Sequence, residues 1–180
     1  MKDSAPGGTN GSAACIDDFT AVSSRYDRFY VKYTTPPPSD TTIFQWSNQG
    51  AGGETIATLR IMQTTGNLQV RDKTTGETTQ LALASGAWNR IEVFFDRANT
   101  TMTVRVYSGA NLHSSTPTTS ATYTINVSTA TSFDRTTLGM VTGNTTAWDL
   151  YVDDHKASLN NWPGAAFPQW GQSTAFGDVT

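Results

Sequence analysis

Two neighbouring segments in which every second residue is apolar constrain the fold more than any other feature. The first is Asn89–Asp96 and the second is Thr101–Ser108, with only a short turn between them. One parity is apolar in both segments: Ile91, Val93 and Phe95, then Met102, Val104 and Val106. A period of two is what a strand buried on one face requires. The pattern predicts a long antiparallel hairpin, with Arg90, Glu92 and Phe94 on the opposite face.

The same alternation, interrupted by turn-forming residues, recurs along most of the chain. It predicts strands at Ala13–Phe19, Asp27–Thr34, Thr42–Ser47, Ala57–Thr64, Asn67–Asp72, Thr78–Leu83, Asn89–Asp96, Thr101–Ser108, Ala121–Val127, Thr136–Thr142 and Ala147–Asp154. Short, regularly spaced strands are typical of an antiparallel two-sheet sandwich. No long apolar repeat of helical period is present, and a single helical turn is predicted around Ser128–Phe133. The expected class is therefore all-β with almost no helix.

At 180 residues the chain is long enough for one domain with a sizeable core. We expect a flexible glycine-rich arm over residues 1–12, a sandwich over residues 13–156 and an irregular tail over residues 157–180. Trp162, Phe167, Trp170 and Phe176 place aromatic rings in this tail beside residues that break regular structure. Exposed rings are an apolar liability, so they either cover the chain's own sandwich or dock on a partner.

Net charge, hydropathy and cysteine content exclude several classes of function and structure. The net charge of -3 and the pI near 5.2 provide no basic surface for nucleic acid. No apolar run approaches the length that spans a bilayer, so membrane insertion is not expected. Cys15 is the only cysteine, which excludes an internal disulfide, and its apolar neighbours predict a buried strand residue.

Two motifs carry a resemblance to a known family. Gly86-Ala87-Trp88-Asn89-Arg90-Ile91-Glu92 follows a turn, and Tyr151-Val152-Asp153-Asp154 ends a late strand. With the strands between them, they resemble the laminin G-like jelly rolls of the concanavalin A-like superfamily, in the versions found in bacteriophage and actinobacterial proteins. The resemblance covers about Ala13 to Trp162 and implies a jelly-roll sandwich. Because few residues precede Ala13, the N-terminal edge strand is expected to be missing or supplied by another chain.

Catalytic motifs are not apparent in the sequence. Glycan hydrolysis needs two facing carboxylates, and the Glu-x-Asp-x-x-Glu pattern of related glucanases does not occur. Glu92 and Asp96 are expected at the surface or at a strand end. Elimination chemistry would need a Tyr or His base beside Arg and Gln, and neither His113 nor His155 lies in a motif. The protein is therefore expected not to be an enzyme.

A glycan site is predicted where an aromatic ring lies among amides. The candidate residues are Gln45, Trp46, Asn48 and Gln49. Asp153 and Asp154 are weak candidates for a calcium ion, and the preferred interpretation is that they simply terminate a strand. No other cofactor is expected.

These observations favour a surface module over other classes. The leading hypothesis is a bacteriophage virion structural protein, in capsid decoration, fibre or adhesion, at the virion surface or outside the cell. It would dock on a protein shell or on its own copies and bind glycans such as cell-surface polysaccharide. The alternative is a secreted, lectin-like carbohydrate-binding module, and the third hypothesis is a polysaccharide-degrading enzyme.

Overall fold

The structure is a computed structural model that describes residues 2–4, 11–50, 53–72, 76–126, 131–144 and 148–165. Strands make up most of the described residues, as the alternating sequence pattern predicts. They are β1 (Lys2–Ser4), β2 (Gly11–Val22), β3 (Ser24–Lys32), β4 (Thr41–Asn48), β5 (Glu54–Ile61), β6 (Leu68–Asp72), β7 (Gly76–Leu81), β8 (Asn89–Asp96), β9 (Thr101–Ser108), β10 (Thr119–Thr124), β11 (Phe133–Asn144) and β12 (Asp149–Ser158). One turn of 3-10 helix, Gly109–Asn111, follows β9.

The strands form two six-stranded antiparallel sheets. The first sheet has the order β1-β12-β3-β8-β9-β10, and the second has the order β2-β11-β4-β5-β6-β7. Neighbours in each sheet come from distant parts of the chain as well as from hairpins, as in a jelly roll. The predicted class, an all-β two-sheet sandwich, is confirmed.

The core lies between the two sheets and is apolar and aromatic. Its fully buried side chains include Phe29, Val31, Ile91, Val93, Phe95, Val104 and Val106 from the first sheet, and Phe44, Trp46, Leu59, Ile61 and Val70 from the second. Phe29 of the first sheet stacks on Phe44 of the second, with ring centroids 4.7 Å apart. Such ring pairs add specific geometry to the general gain from burying apolar surface.

The predicted hairpin of β8 and β9 is confirmed, residue by residue. Ile91 pairs with Val106, and Val93 pairs with Val104, all on the core face. The other predicted strands are present with shifted ends. The predicted helical turn at Ser128–Phe133 falls partly outside the described residues, and Phe133 itself begins β11.

The N-terminal residues depart from the expected arm. Lys2–Ser4 pairs with β12, where Lys2 lies opposite Tyr151, and β2 already begins at Gly11. The edge beside β12 is therefore supplied by this chain itself. At the other boundary, β12 continues to Ser158, beyond the predicted end of the sandwich at residue 156.

Cys15 is exposed, so the prediction of a buried cysteine is wrong. It lies on β2, which ends its sheet beside β11 in the described part of the chain. The adjacent Ile16 is 60% exposed as well. Apolar neighbours in sequence indicate a strand, but they do not tell whether the other sheet covers it.

A buried polar cluster joins the two sheets around Asp27. This carboxylate is fully buried, and its Oδ1 accepts a hydrogen bond from Arg25 Nε at 2.9 Å and lies 3.1 Å from His155 Nε2. Its Oδ2 accepts from Trp46 Nε1, across the sandwich, at 3.1 Å. Arg25 is 4% exposed and also donates to Asp17 at 2.6 Å. A buried carboxylate with several donors is the arrangement that the interior tolerates.

Candidate functional site

The outward face of the first sheet carries rows of polar and aromatic side chains across its strands. Strand register sets three adjacent rows: Tyr30, Arg90 and Tyr107; Arg28, Glu92 and Arg105; and Tyr26, Phe94 and Thr103. Residues paired in register share one face of a sheet, so these side chains lie together opposite the core. The hairpin pattern predicted which side chains of β8 lie on this face. It did not predict that β3 lies beside β8 and adds its own side chains there.

A pocket of about 320 Å³ lies on this face. Its lining comes from β8, β9, the loop after β9 and the segment after β12: Arg90, Glu92, Arg105, Tyr107, His113, Ser114, Ser115, Trp162, Gly164 and Ala165. A concave site that combines rings with a few charged groups is the usual form of a small-ligand site. This pocket is the candidate functional site.

Arg90 holds one wall of the pocket in place. Its guanidinium donates to the Leu112 carbonyl at 2.8 Å and to the Ser114 carbonyl at 2.6 Å. The same group lies over the Tyr107 ring, 3.6 Å from its centroid. Arg90 is only 1% exposed, so it acts as a strut between the sheet and the loop that carries His113.

Arg28 holds a second part of the pocket lining, the segment after β12. Its guanidinium donates to the Gly164 carbonyl at 2.9 Å and to Asp154 Oδ1 at 2.7 Å. Nearby, the Trp162 ring packs edge-on against Tyr26 and Phe94, with centroids 5.2 and 6.4 Å away. The segment after β12 is thereby bound to the sheet at two points.

Glu92 forms part of the pocket floor and is 1% exposed, so the expectation of a surface or strand-end role is wrong. The Tyr107 hydroxyl donates to its Oε2 at 3.1 Å. Its Oε1 lies 3.4 Å from Arg90 Nε and has no hydrogen-bond partner within the described part of the chain. The surrounding loop and tail segment bury a residue that an isolated hairpin would expose.

Tyr107 is the titratable group that this environment changes most clearly. Burial raises the pKa of its phenol above the ordinary value, and the negative charge of Glu92 raises it further, against the opposing effect of Arg90 and Arg105. Tyr107 is therefore a neutral hydrogen-bond donor at physiological pH.

The predicted glycan patch has a different structure from the one expected. Trp46 is fully buried, and its indole nitrogen donates to Asp27, so its ring offers no open face to a sugar. Asn48 donates to the Ser132 carbonyl at 2.8 Å, and the backbone of Gln49 donates to Asp134. The prediction that Trp46 binds a sugar with its ring is wrong, because the ring is buried. A binding role for Gln45, Asn48 and Gln49 stays a prediction.

The aromatic tail is described only in part. Trp162 packs on the chain's own sheet, which is the first of the two alternatives considered for the tail. Phe167, Trp170 and Phe176 lie outside the described residues. Their docking role stays a prediction.

The carboxylates of the two calcium candidates, Asp153 and Asp154, both form hydrogen bonds within the protein. Asp154 has a positive φ of 50° and its carboxylate binds Arg28, while Asp153 Oδ1 accepts a bond from the Asp154 backbone at 2.9 Å. Among the residues described, no group of three or more His, Cys, Asp and Glu side chains is placed to hold a metal ion. Calcium binding is an untested prediction.

Comparison with solved structures shows the same fold, a jelly-roll sandwich, in proteins of low sequence identity. A heptameric SAP-like pentraxin from Limulus polyphemus is 12% identical, with a TM-score of 0.54 over 87% of this chain and 74% of that one. The cellulose-induced protein Cip1 is 11% identical, with a TM-score of 0.57 over 82% and 72%. Lectin I-B4 from Griffonia simplicifolia is 13% identical, with a TM-score of 0.51 over 87% and 78%. No protein-family model and no curated protein matches the sequence.

The expectation that the protein is not an enzyme is wrong, because a fold of this kind is compatible with catalysis as well as with binding. Matching structures include the catalytic domain of a glycoside hydrolase family 131 protein from Coprinopsis cinerea, 16% identical with a TM-score of 0.48. They also include an alginate lyase from Alteromonas sp. 272, 14% identical with a TM-score of 0.47. A single fold can carry both enzymes and binding proteins, so a jelly roll does not by itself exclude catalysis.

None of the helical structure in the described ranges has the length and hydropathy of a transmembrane helix.

Proposed function

We propose that this protein binds carbohydrate in the pocket on the outward face of its first sheet. The observation that carries the proposal is the pocket's lining, in which two aromatic rings, two arginines, a buried carboxylate and a histidine converge. Sugars present apolar ring faces beside many hydroxyl groups, and they are bound by aromatic surfaces together with planar polar side chains.

The pocket also has the rigidity that specific binding needs. Arg90 fixes one wall and Arg28 fixes the other, each through hydrogen bonds to backbone carbonyls. Groups that are already held in place lose little conformational entropy when a ligand binds. The likeness to a lectin and to other jelly rolls supports the fold, and the pocket supports the function.

The proposal is tested by binding of the purified chain to a broad glycan and bacterial-polysaccharide array. Trp162→Ala removes the larger of the two rings that line the pocket and should abolish or strongly weaken any saturable signal. Trp88→Ala is the matched control, because Trp88 is half-buried and does not line the pocket. Circular dichroism checks that both variants fold. A blank array from folded protein, or equal binding by both variants, contradicts the proposal.

The same samples separate a binding module from an enzyme. Each glycan that binds is incubated with the protein, and new reducing ends and unsaturated ends are measured. Loss of the product signal in Trp162→Ala, but not in Trp88→Ala, would place the activity in the same pocket.

Several finer expectations stay predictions. They include the bacteriophage and actinobacterial laminin G-like type, docking on a protein shell, assembly of copies, and a place at the virion surface or outside the cell. Deletion of residues 166–180 tests the docking hypothesis directly, because Phe167, Trp170 and Phe176 are removed while Trp162 is retained. Shell binding or self-assembly should then disappear while glycan binding remains.

A further inference from the structure

We infer that the ligand of this pocket is an acidic glycan, and that Arg105 binds its carboxylate or sulfate group. The inference rests on the proposed function and specifies its substrate class.

Three arginines lie on the outward face, and two of them are occupied. The guanidinium groups of Arg28 and Arg90 are bound to backbone carbonyls of the two pocket walls, and each also lies beside an acidic side chain. Both are also nearly inaccessible to solvent. These two guanidinium groups therefore stabilise the pocket walls and are not available to a ligand.

Arg105 differs from both in having no backbone carbonyl among its contacts with the described residues, although its guanidinium lies close enough to Tyr107 to lower the pKa of that phenol. Its guanidinium stacks on the Trp162 ring at 3.8 Å from the centroid, and it lines the pocket while remaining partly exposed. In the described part of the chain, no carboxylate makes an ion pair with it. A guanidinium stacked on a ring keeps its in-plane N–H groups available, and that planar fork matches the oxygens of a carboxylate or sulfate.

The charges around the pocket favour an anion. Its lining contains Arg90, Arg105, His113 and one acidic residue, Glu92, whose charge is offset by Arg90 at 3.4 Å. With two arginines against one carboxylate, the lining carries an excess of positive charge, although the whole chain carries a net charge of -3. A local positive site in an acidic protein indicates a specific anionic ligand.

Glu92 indicates what accompanies the anionic group. Glu92 lines the pocket, and its buried Oε1 has no hydrogen-bond partner among the described residues, with Arg90 Nε 3.4 Å away. A buried carboxylate oxygen without a donor costs free energy, and a sugar hydroxyl would supply that donor. An anionic group and a hydroxyl close together on one ligand are what an acidic sugar offers.

The experiment measures affinity for paired probes by isothermal titration calorimetry. Oligogalacturonate is compared with its methyl ester, which carries no charge, and dextran sulfate is compared with dextran. The wild-type chain should bind an acidic member at least about tenfold more tightly than its neutral partner, because charge-assisted bonds to Arg105 are lost in the neutral one. The two pairs distinguish a carboxylate ligand from a sulfate ligand.

Arg105→Gln removes the charge and keeps a similar stem, and it should lower affinity for the acidic probe by about 10- to 100-fold. It should leave the neutral probe almost unchanged. Arg71→Gln is the control. Arg71 is exposed on β6 of the other sheet, and its replacement removes the same net charge from the protein. It should bind both members of each pair like the wild type.

Three outcomes overturn the inference. If the wild type binds acidic and neutral probes with equal affinity, the ligand is not specifically an acidic glycan, but the proposed carbohydrate binding still holds. Equal weakening by Arg105→Gln and Arg71→Gln shows general electrostatic attraction instead of a site. Failure of the folded wild type to bind any probe, together with a blank array, removes the proposed function as well.

Discussion

Replacing Asp27 with Asn should destabilise the sandwich strongly. The change keeps the shape of the side chain and removes its charge, in a position that is completely buried. One of the two oxygens becomes an NH₂ group. That donor then faces either the indole N–H of Trp46 or the Arg25 and His155 nitrogens that Oδ1 contacts in the native protein.

The magnitude follows from what remains around Arg25. Breaking a buried ion pair by removing one partner costs about 3–5 kcal/mol, because the other charge stays buried. Arg25 keeps its bond to Asp17 at 2.6 Å, so the expected loss lies near the lower end, about 3 kcal/mol. That is a large part of the total of about 5–15 kcal/mol typical of a domain.

Urea unfolding followed by tryptophan fluorescence measures the effect. With a slope of about 2 kcal/mol per molar urea, the midpoint should fall by about 1.5 M. Asp17→Asn is the matched control, since Asp17 contacts the same arginine from a position 48% exposed, and it should cost about 0–1 kcal/mol. A loss below about 1 kcal/mol for Asp27→Asn, or equal losses for both variants, would refute the reasoning.

Four further predictions concern the outward face, two turns and an exposed ion pair. Because burial raises the pKa of Tyr107, the native state keeps a proton that the unfolded chain loses, so stability should fall as pH rises above about 10. Tyr107→Phe should lessen that fall in urea titrations at alkaline pH. Gly66→Ala should cost more than about 2 kcal/mol, since a Cβ there would lie 2.7 Å from the Tyr33 hydroxyl at a φ of +70°. Gly86→Ala, at a φ of +74° with open space around it, should cost only about 1–2 kcal/mol in the same assay. Arg135→Ala removes an exposed ion pair and should leave the melting temperature unchanged, so a clear drop would contradict this assignment.

The hairpin of β8 and β9 shows how far local pattern reaches. Alternation alone placed Ile91 and Val93 in the core and Arg90 and Glu92 on the other face, because side chains of a strand must alternate between faces. It predicted Glu92 as exposed, however, since nothing near it in sequence indicates a cover. The pocket that Glu92 lines is completed by residues 113–115 and by Trp162, Gly164 and Ala165, which are distant along the chain.

The glycan prediction failed at Trp46 for a related reason. A tryptophan beside amides fits a sugar platform equally well whether the ring points out or in, and the local sequence does not distinguish the two. The partner that decides the direction is Asp27, a residue of the opposite sheet.

What the sequence determined by itself is the periodic information: strands, their faces, the near absence of helix and the all-β sandwich. These follow from the two-residue repeat, which is a local property of the chain. The tertiary structure decided which edges are covered, that β1 completes the sheet beside β12, and that Arg28, Arg90, Arg105 and Glu92 share one pocket. Such choices depend on contacts between residues far apart in sequence, where register and loop placement are set by the packing of the whole domain.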